Sequence, residues 1–339
     1  MKAVVLEHRG RDGPRLREFP DPVPAPGESV MRVASSALNR VDLYVRDSGA
    51  GITQTLPLVM GVEGAGIIVE AAGSGLKPGM KAILYSEACC GKCRYCLAGD
   101  QPLCESVRIS GEHRHGAFAE YIAMPSQCFL PLSDDADLRE AGVLMSAYLT
   151  AWRMLFGKKQ LRPGESVLVV WIGGGVAVAC LQLARLAGAR VFVTSSSDEK
   201  LARAKSLGAE GGVNYRAEPV SKRILEMSDG GVDMVIDSVG EASWGESLRS
   251  LRRGGRLVTC GATTGSNPPA EIQRVFIRQL EIYGSTGGSF AEFRELLEVF
   301  NRGLLHPVID STYELNDIHA AFDRLSRGEQ FGKIAVTIS

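Results

Sequence analysis

The sequence predicts an α/β protein with two domains, a mostly β domain and a doubly wound parallel sheet. Three observations support this prediction: the length, the glycine content, and a change of pattern near residue 148. A chain of 339 residues is long enough for about two domains of ordinary size. Glycine occurs 39 times, above its usual share, which indicates many turns and close backbone approaches.

Up to about residue 147 the chain consists of short β-rich runs separated by turns. Residues 30–34 and 64–69 are such runs, and the segment 20–27 is rich in proline. This alternation is typical of an irregular, mostly antiparallel β domain. An amphipathic helix from residue 290 and a closing segment resume a mixed pattern. We therefore expect residues 1–147 and 288–339 to form the first domain.

After the turn at residues 161–164, buried apolar strands alternate with helical stretches. That rhythm is typical of parallel βαβ units, and six strands suffice for a doubly wound sheet. We place the second domain at residues 148–287. Its predicted strands are residues 166–171, 191–194, 212–215, 232–237, 256–260 and 280–284.

Charge and hydropathy exclude several classes of function. The formal net charge of -1 gives no broad positive field for nucleic acid or an anionic membrane. The first seven residues contain too short an apolar run for a signal peptide. The uncharged run at residues 166–184 contains three glycines, which suit a strand, a turn and a helix better than a membrane span. We expect a soluble cytoplasmic protein without a nucleic-acid or membrane partner.

The glycine loop at residues 173–175 is a candidate dinucleotide site. It joins a buried strand to a helix, a setting in which glycine lets the backbone approach a pyrophosphate. Ile172 and Ala177 stand where the strict G-x-G-x-x-G pattern has glycine, so a packing loop is the alternative. About 20 residues further on, Ser195 replaces the acidic residue that would bind the ribose of NAD.

Neutral hydroxyl groups at residues 195–197 favour a cofactor with a 2′-phosphate. Lys200 and Arg216 are cations that could neutralise this phosphate. A solvated turn with a helix-capping serine is the alternative interpretation. The sequence therefore predicts NADP(H) rather than NAD(H).

Four of the eight cysteines have the spacing of a closed zinc site. Cys90, Cys93, Cys96 and Cys104 place four thiolates in one loop, and zinc binds four sulfur ligands without an open position for substrate. The spacing between Cys96 and Cys104 differs from the bacterial ferredoxin pattern, so an iron–sulfur cluster fits poorly. We predict one structural zinc ion per chain, in a lobe over about residues 86–108, with Cys89 outside the ligand set.

With this lobe the chain resembles the zinc-type medium-chain alcohol dehydrogenases over essentially its whole length. The resemblance implies a GroES-like catalytic domain, a Rossmann domain that binds the cofactor, and a set of cofactor contacts in and around that domain. The expected contacts are Thr150, Gly174, Gly175, Val176, Ser195, Ser196, Lys200, Tyr215, Cys260, Gly261, Gly284 and Ser285. Relatives pair across the strand at residues 280–284, so a homodimer or homotetramer is expected.

The catalytic zinc ligands of that family are missing from the corresponding positions. Its two cysteines and its histidine fall on Asn39, Ser146 and Val62, whose side chains do not replace thiolate and imidazole. Glu63 matches the glutamate that follows the zinc-binding histidine in that family. The segment 36–44 is more similar to the zinc-free quinone oxidoreductases of the same superfamily, which use NADPH. We expect NADPH as the cofactor and no catalytic zinc.

Without a catalytic metal, hydrogen-bond donors must stabilise charge on the substrate oxygen. Asn39, Tyr44 and Ser146 are the candidate catalytic donors, although each is as readily explained as a satisfied buried polar group. The residues expected to border the substrate pocket are Val62, Glu63 and Trp152.

These features predict an NADPH-dependent oxidoreductase, similar to alcohol dehydrogenases, that transfers hydride to a bulky apolar ketone, quinone or enone. The alternative is an NADPH-binding sensor or structural protein without turnover, which kept the fold after losing its metal. NADPH consumption with a panel of carbonyl compounds separates the two. A zinc-ribbon nucleic-acid binder is disfavoured by the net charge of -1.

Overall fold

The computed structural model describes residues 1–51, 54–73 and 75–339, which fall into two compact units. Unit 1 comprises Met1–Leu149 and Gly288–Ser339, and unit 2 comprises Thr150–Gly287. The expected division after residue 147 lies slightly earlier in the chain. The boundary between the two units lies after Leu149 because one helix, Met145–Trp152, spans the expected boundary.

The strands and helices are numbered in chain order. The strands are β1 (Lys2–Leu6), β2 (Pro14–Glu18), β3 (Glu28–Leu38), β4 (Leu58–Val59), β5 (Gly64–Glu70), β6 (Lys81–Leu84), β7 (Glu87–Ala88), β8 (Arg108–Ile109), β9 (Tyr121–Pro125), β10 (Phe129–Pro131), β11 (Ser166–Val169), β12 (Arg190–Ser195), β13 (Gly211–Asn214), β14 (Val232–Asp237), β15 (Leu251–Thr259), β16 (Glu281–Gly284), β17 (Ile309–Glu314) and β18 (Lys333–Thr337). The helices are α1 (Arg40–Asp47), α2 (Arg94–Leu97), α3 (Leu138–Ala141), α4 (Met145–Trp152), α5 (Gly175–Leu186), α6 (Asp198–Ser206), α7 (Val220–Met227), α8 (Trp244–Ser250), α9 (Ile272–Arg278), α10 (Phe290–Asn301) and α11 (Ile318–Arg327).

Strand β3 organises unit 1. Its 11 residues pair antiparallel with β5, β9 and β18. The resulting sheet has the order β10-β6-β5-β3-β18-β17, with β9 alongside β3, and a smaller sheet has the order β2-β1-β4. Apolar side chains from both sheets, from neighbouring loops and from α11 form one buried core, which includes Val4, Met31, Ile68, Phe118 and Phe322. The mostly antiparallel β pattern predicted for this region is present.

The C-terminal segment completes unit 1 rather than unit 2. Strand β18 lies between β3 and β17 in the large sheet. Helix α11 buries Ile318, Ala321, Phe322 and Leu325, whose spacing of three and four residues places them on one face of the helix. Gly328, with φ +65°, ends this helix in the left-handed conformation that glycine adopts at low cost.

Unit 2 contains the predicted doubly wound sheet. Its six strands are all parallel, in the order β13-β12-β11-β14-β15-β16. From β11 the next two strands in sequence are added on one side, and β14, β15 and β16 are added on the other side. This reversal of the strand order creates a switch point between β11 and β14. Strand β16 is an edge strand, as predicted. No helix in the described part of the chain is long and apolar enough to cross a membrane.

One strand of this sheet differs from its prediction. Strand β15 begins at Leu251 rather than at residue 256. The earlier start was missed because the glycine pair at residues 254–255 suggests a turn. The strand accommodates Gly254 at φ +69°, and its pairing with β14 shifts register between Val232 and Met234.

Candidate active site and zinc lobe

The four predicted zinc ligands lie together in unit 1. The Sγ atoms of Cys90, Cys93, Cys96 and Cys104 all lie within 4.8 Å of one another, and those of Cys90 and Cys96 are 3.9 Å apart. Tetrahedral Zn–S bonds of about 2.3 Å place sulfur atoms roughly 3.8 Å apart, so the set fits zinc. Among the described residues it is the one such group of Cys, His, Asp or Glu side chains. The Cys89 thiol donates instead to a main-chain carbonyl at 3.4 Å.

Backbone N–H groups support this cysteine set. The Cys93 sulfur accepts a hydrogen bond from the Cys96 N–H at 3.4 Å, and the Cys104 sulfur accepts one from the Cys90 N–H at 3.4 Å. Hydrogen bonds from the N–H groups of Lys92 and Cys93 lower the pKa of Cys90 to about 6. Such bonds favour the thiolate, the form that binds zinc.

Glu63 is the centre of a second polar cluster in unit 1, which we call the Glu63 cluster: Asn39, Glu63, Ser146 and Lys333. The Glu63 side chain is fully buried. Its Oε1 accepts hydrogen bonds from the Asn39 amide and from Lys333 Nζ, each at 2.7 Å. Its Oε2 accepts one from the Ser146 backbone N–H at 2.8 Å. The structure thus brings two of the candidate site residues, Asn39 and Ser146, onto the carboxylate of a third, Glu63.

Lys333 is the cation of this cluster, and the sequence analysis did not identify it. Its side chain is 2% exposed. Its Nζ donates to the Leu38 carbonyl at 3.1 Å, to Asn39 Oδ1 at 2.5 Å and to Glu63 Oε1 at 2.7 Å. All three ammonium hydrogens therefore have acceptors within the protein. A lone lysine at the start of the apolar run of β18 was the available signal.

Asn39 is fully engaged inside the Glu63 cluster. Its amide nitrogen donates to Glu63 and to the Ala37 carbonyl, at 2.7 and 3.2 Å, while its Oδ1 accepts from Lys333. A primary amide has two N–H donors, so none is left for a substrate oxygen. In this arrangement Asn39 holds the ion pair in place rather than acting as the donor that the sequence analysis expected.

Asp42, in the first turn of α1, adds a buried carboxyl group to the same region. It is 1% exposed, and its Oδ2 accepts a hydrogen bond from the Asn39 backbone N–H at 2.7 Å. Its Oδ1 is buried without a partner among the described residues. Burial, with a smaller contribution from the charges of Glu63 and Glu112, raises the pKa of Asp42 to about 7, against the lowering effects of the Asn39 N–H and of Lys333.

Glu112 is a further buried carboxyl group that sequence analysis missed. It lies on the loop at residues 110–116, which packs against Gly61 and Val62. The Ser110 hydroxyl donates to the Val62 carbonyl at 3.1 Å, and a Cβ on Gly116 would lie only 2.2 Å from the Gly61 carbonyl oxygen. Glu112 is 6% exposed, and burial alone raises its pKa to about 7.

Tyr44 and Trp152, two further candidates from the sequence, lie outside the Glu63 cluster, as do two histidines of the loop at residues 110–116. Tyr44 lies on α1 with 37% of its surface exposed. Trp152 belongs to unit 2, where its ring meets that of Phe156 edge to face at a centroid distance of 4.9 Å. His113 and His115 each accept a backbone N–H through Nδ1 at 3.2 Å. These two histidines therefore support the loop as acceptors.

In unit 2 several of the expected cofactor residues lie at or just after the carboxyl ends of the parallel strands, where open α/β sheets bind ligands. The glycine loop follows β11, and α5 begins at Gly175 with Gly174 as its N-cap. A Cβ added to Gly174 or Gly284 would meet no atom within 4 Å, so ligand atoms can approach the backbone. The other expected residues are Thr150 and Val176 and, after the strand ends, Ser195, Ser196, Lys200, Tyr215, Cys260, Gly261 and Ser285.

Two observations in unit 2 fit a bound dinucleotide. The hydroxyl of Ser285 is buried without a partner among the described residues, which provides an unused polar group at the sheet edge. The rings of Trp171 and Tyr215 stack at 5.1 Å and 16°, and both line a cavity of about 220 Å³. A flat aromatic wall of this kind suits the packing of a nucleobase. Trp171 itself adopts φ 53°, a strained conformation for a bulky residue.

Ser195 ends β12 and faces inward. It is 3% exposed, and its hydroxyl accepts the Ser197 N–H at 3.2 Å. The Ser197 hydroxyl in turn accepts the Lys200 N–H at 3.3 Å and caps α6. Burial raises the pKa of Cys260 to about 12, so its thiol stays protonated and is not a nucleophile.

Known proteins are similar to this chain over its whole length. The alcohol dehydrogenase GroES-like domain matches residues 25–134, and the zinc-binding dehydrogenase domain matches residues 175–302. An alcohol dehydrogenase of Geobacillus stearothermophilus is 30% identical over 342 residues, covering 100% of this chain and 99% of that protein. An acryloyl-coenzyme A reductase of Metallosphaera sedula is 30% identical over 342 residues, covering 99% and 100%. A solved NAD-dependent alcohol dehydrogenase superimposes with a TM-score of 0.95 at 35% identity, covering 100% of both chains.

These matches extend over the whole chain and confirm the predicted pairing of a GroES-like domain with a Rossmann domain. They also identify the protein as an enzyme, an NAD(P)-dependent oxidoreductase. The chain belongs to the zinc-type alcohol dehydrogenase superfamily of medium-chain dehydrogenases and reductases.

Proposed function

We propose that this enzyme transfers hydride from NADPH to a bulky apolar ketone, quinone or conjugated enone without a catalytic metal. The Glu63 cluster is the observation that supports the proposal. Asn39, Val62 and Ser146 occupy the positions that correspond to the family's zinc ligands, and two of them bond to Glu63. The cation bonded to this carboxylate is Lys333, at 2.7 Å.

The pocket chemistry follows from the same residues. A bound reduced nicotinamide supplies the hydride, so the protein must orient the substrate, exclude water and provide a proton. Val62 is an alkyl side chain, 3% exposed, where an imidazole would be needed to bind zinc. The extra apolar surface favours cyclic or aromatic carbonyl compounds over small primary alcohols. The similarity to an acryloyl-coenzyme A reductase supports conjugated carbonyl compounds as substrates.

The preference for NADPH is supported by the end of β12. Ser195 stands there with Ser196, and the sequence has no carboxylate at this position to repel a 2′-phosphate. Lys200 lies within the first turn of α6, close in sequence to these serines. One similar structure is named as NAD-dependent, so dissociation constants for NADPH and NADH must be measured side by side.

We assign one structural zinc ion to the lobe of Cys90, Cys93, Cys96 and Cys104 and none to the Glu63 cluster. Four thiolates leave zinc without an open coordination position, so this ion would fix the lobe and would not bind substrate. Elemental analysis of the metal-saturated protein measures the stoichiometry directly.

We further propose that the enzyme is a cytoplasmic homodimer or homotetramer that pairs through the edge of the unit 2 sheet. Ile282 on edge strand β16 is 42% exposed, and Ile272 and Phe276 on α9 are 70% and 65% exposed. Exposed strand edges with apolar side chains favour pairing with a second copy. None of the eight cysteines, all of which lie in the described part of the chain, forms a disulfide, which suits a reducing compartment. Light scattering with and without Ile282→Lys tests the interface.

Loss of NADPH absorbance with a panel of ketones, quinones and enones is the decisive experiment. Turnover of bulky apolar members, with poor turnover of small primary alcohols in the reverse direction, supports the proposal. The second candidate is a sensor or structural protein without turnover. It would bind NADPH but consume none with any member of the panel.

A further inference from the structure

Reduction of a carbonyl group needs a proton as well as a hydride. The N–H donors of the Glu63 cluster are already hydrogen-bonded to oxygen atoms of the protein. Both N–H groups of the Asn39 amide and all three of Lys333 end on acceptors of the protein itself. The Ser146 N–H is bonded to Glu63. Alcohol and phenol hydroxyls, such as those of Ser146 and Tyr44, are weaker acids than a carboxyl group. The proton source must therefore be sought beside the cluster.

Glu112 has the properties of such a source. Its loop lies directly against the segment that contains Val62, through the bond from the Ser110 hydroxyl to the Val62 carbonyl at 3.1 Å. Glu112 as a whole residue is 6% exposed. No hydrogen bond to this carboxyl group is present in the described part of the chain. A buried carboxyl group without a donor is most stable as the neutral acid.

We propose that Glu112 is the proton donor of this reaction and that it passes its proton to the substrate oxygen. The inference rests on the proposed function, because it assumes carbonyl reduction near Val62. The hydride pair forms the new C–H bond, and the π pair of the carbonyl group takes the Glu112 proton to form O–H. NADPH becomes NADP⁺, and the Glu112 carboxylate then regains a proton from water.

Burial, rather than the surrounding charges, favours a protonated Glu112 at neutral pH. The titratable and charged side chains of the region are Asp42 on α1, Glu63 before β5, Lys333 on β18, and His113, Arg114 and His115 on the loop itself. Lys333 is bonded to Glu63, and Arg114 is paired with Glu28. Burial raises the pKa of Glu112 to about 7, which is close to the working pH that suits a general acid.

Asp42 is a weaker candidate for the same role. One of its oxygen atoms already accepts the Asn39 backbone N–H, which ties the side chain to the start of α1. The negative charge of Glu112 also raises the pKa of Asp42. When Glu112 gives up its proton, Asp42 therefore holds its own proton more tightly. A protonated Asp42 adds no negative charge to the region. Glu112 is the better candidate for the proton donor because its loop lies beside Val62.

The test compares Glu112→Gln, Glu112→Asp and the control Glu70→Gln, an exposed carboxylate of the same unit. General acid catalysis typically contributes 10²–10⁴-fold, so Glu112→Gln should lower kcat for NADPH-dependent reduction by about 100-fold or more. KM and the dissociation constant of NADPH should change little. The unaltered enzyme should lose rate as the pH rises through about 7, the pKa of Glu112, and Glu112→Gln should lose this dependence.

The remaining outcomes separate this inference from the proposed function. Glu112→Asp keeps a carboxyl group, so it should keep the pH dependence at a reduced rate, even where Glu112→Gln folds poorly. Two results would overturn the role of Glu112 but leave the proposed function intact. One is a Glu112→Gln enzyme with the rate and pH profile of the unaltered enzyme, and the other is a Glu112→Asp enzyme without pH dependence. An unaltered protein that consumes no NADPH with any carbonyl compound would refute the proposed function and the role together.

Discussion

Replacement of Lys333 by methionine tests the Glu63 cluster most directly. The substitution keeps the length of the side chain but removes the ammonium group and its three hydrogen bonds. The side chains of Lys333 and Glu63 are 2% and 0% exposed. Glu63 would keep the N–H donors of Asn39 and Ser146, but its charge would have no counterion and no access to water. Removal of one partner from a buried ion pair costs about 3–5 kcal/mol.

Thermal unfolding followed by circular dichroism measures this loss. For a unit of about 200 residues, each kcal/mol of stability corresponds to about 2–4 °C in Tm, so Lys333→Met should lower the Tm of unit 1 by about 6–20 °C. The control is Lys159→Met in unit 2. Lys159 pairs with Glu281 at 2.9 Å, but the two side chains are 49% and 39% exposed. An exposed pair of this kind contributes about 0–1 kcal/mol.

A second substitution separates the unpaired charge from other effects. In the Lys333→Met background, Glu63→Gln removes the buried negative charge and should recover part of the lost stability. A Tm for Lys333→Met within about 2 °C of the unaltered protein, less than 1 kcal/mol on this scale, would refute the assignment of a buried ion pair.

Three further predictions concern the metal, the cofactor and pH. Metal-saturated protein should contain one zinc ion per chain by elemental analysis, and two tightly bound zinc ions would contradict the assignment. Cys93→Ser should lose the ion and unfold at a lower temperature, because structural zinc contributes folding free energy. Ser195→Asp should weaken NADPH binding in calorimetric titrations by placing a carboxylate near the 2′-phosphate, and equal affinities of the unaltered protein for NADPH and NADH would contradict the preference. Burial raises the pKa of Glu112 from 4.5 to about 7, so the folded state binds more protons than the unfolded state between these values. The free energy of unfolding should therefore fall as pH rises through this window, and urea titrations should show a smaller fall for Glu112→Gln; an equal fall in both proteins would show that Glu112 does not titrate there.

The doubly wound sheet could be predicted because its signals are local. Each central strand is a short run of β-branched and aliphatic residues, and the strands of β11 and β14 are almost wholly buried. Buried parallel strands give the same apolar run wherever they occur, so the sequence predicts the strands and the class of sheet, while their order comes from the structure. The start of β15 could not be predicted, since Gly254 and Gly255 suggest a turn unless the neighbouring strand is known to shift register.

The site could be predicted only in part, because its contacts join distant parts of the chain. Lys333 bonds to Glu63 across 270 positions of sequence. Neither residue alone indicates that the other is its partner, and a lysine near the end of a chain suggests a solvent-exposed side chain. Glu112 was hidden for a related reason. It stands among the charged and polar residues 112–115, and its burial follows from the packing of the loop against Gly61 rather than from its sequence neighbours.

Asn39 shows why a position alone does not establish a role. It was expected to donate to the substrate, yet both of its N–H donors bond to protein oxygen atoms and its carbonyl oxygen accepts from Lys333. An alanine at this position would leave the buried ion pair of Glu63 and Lys333 with fewer partners. Each buried polar group left unsatisfied costs about 1–3 kcal/mol. The loss of Asn39 therefore acts first on the stability of unit 1, and it reaches the chemistry only through the geometry of the ion pair that Asn39 holds.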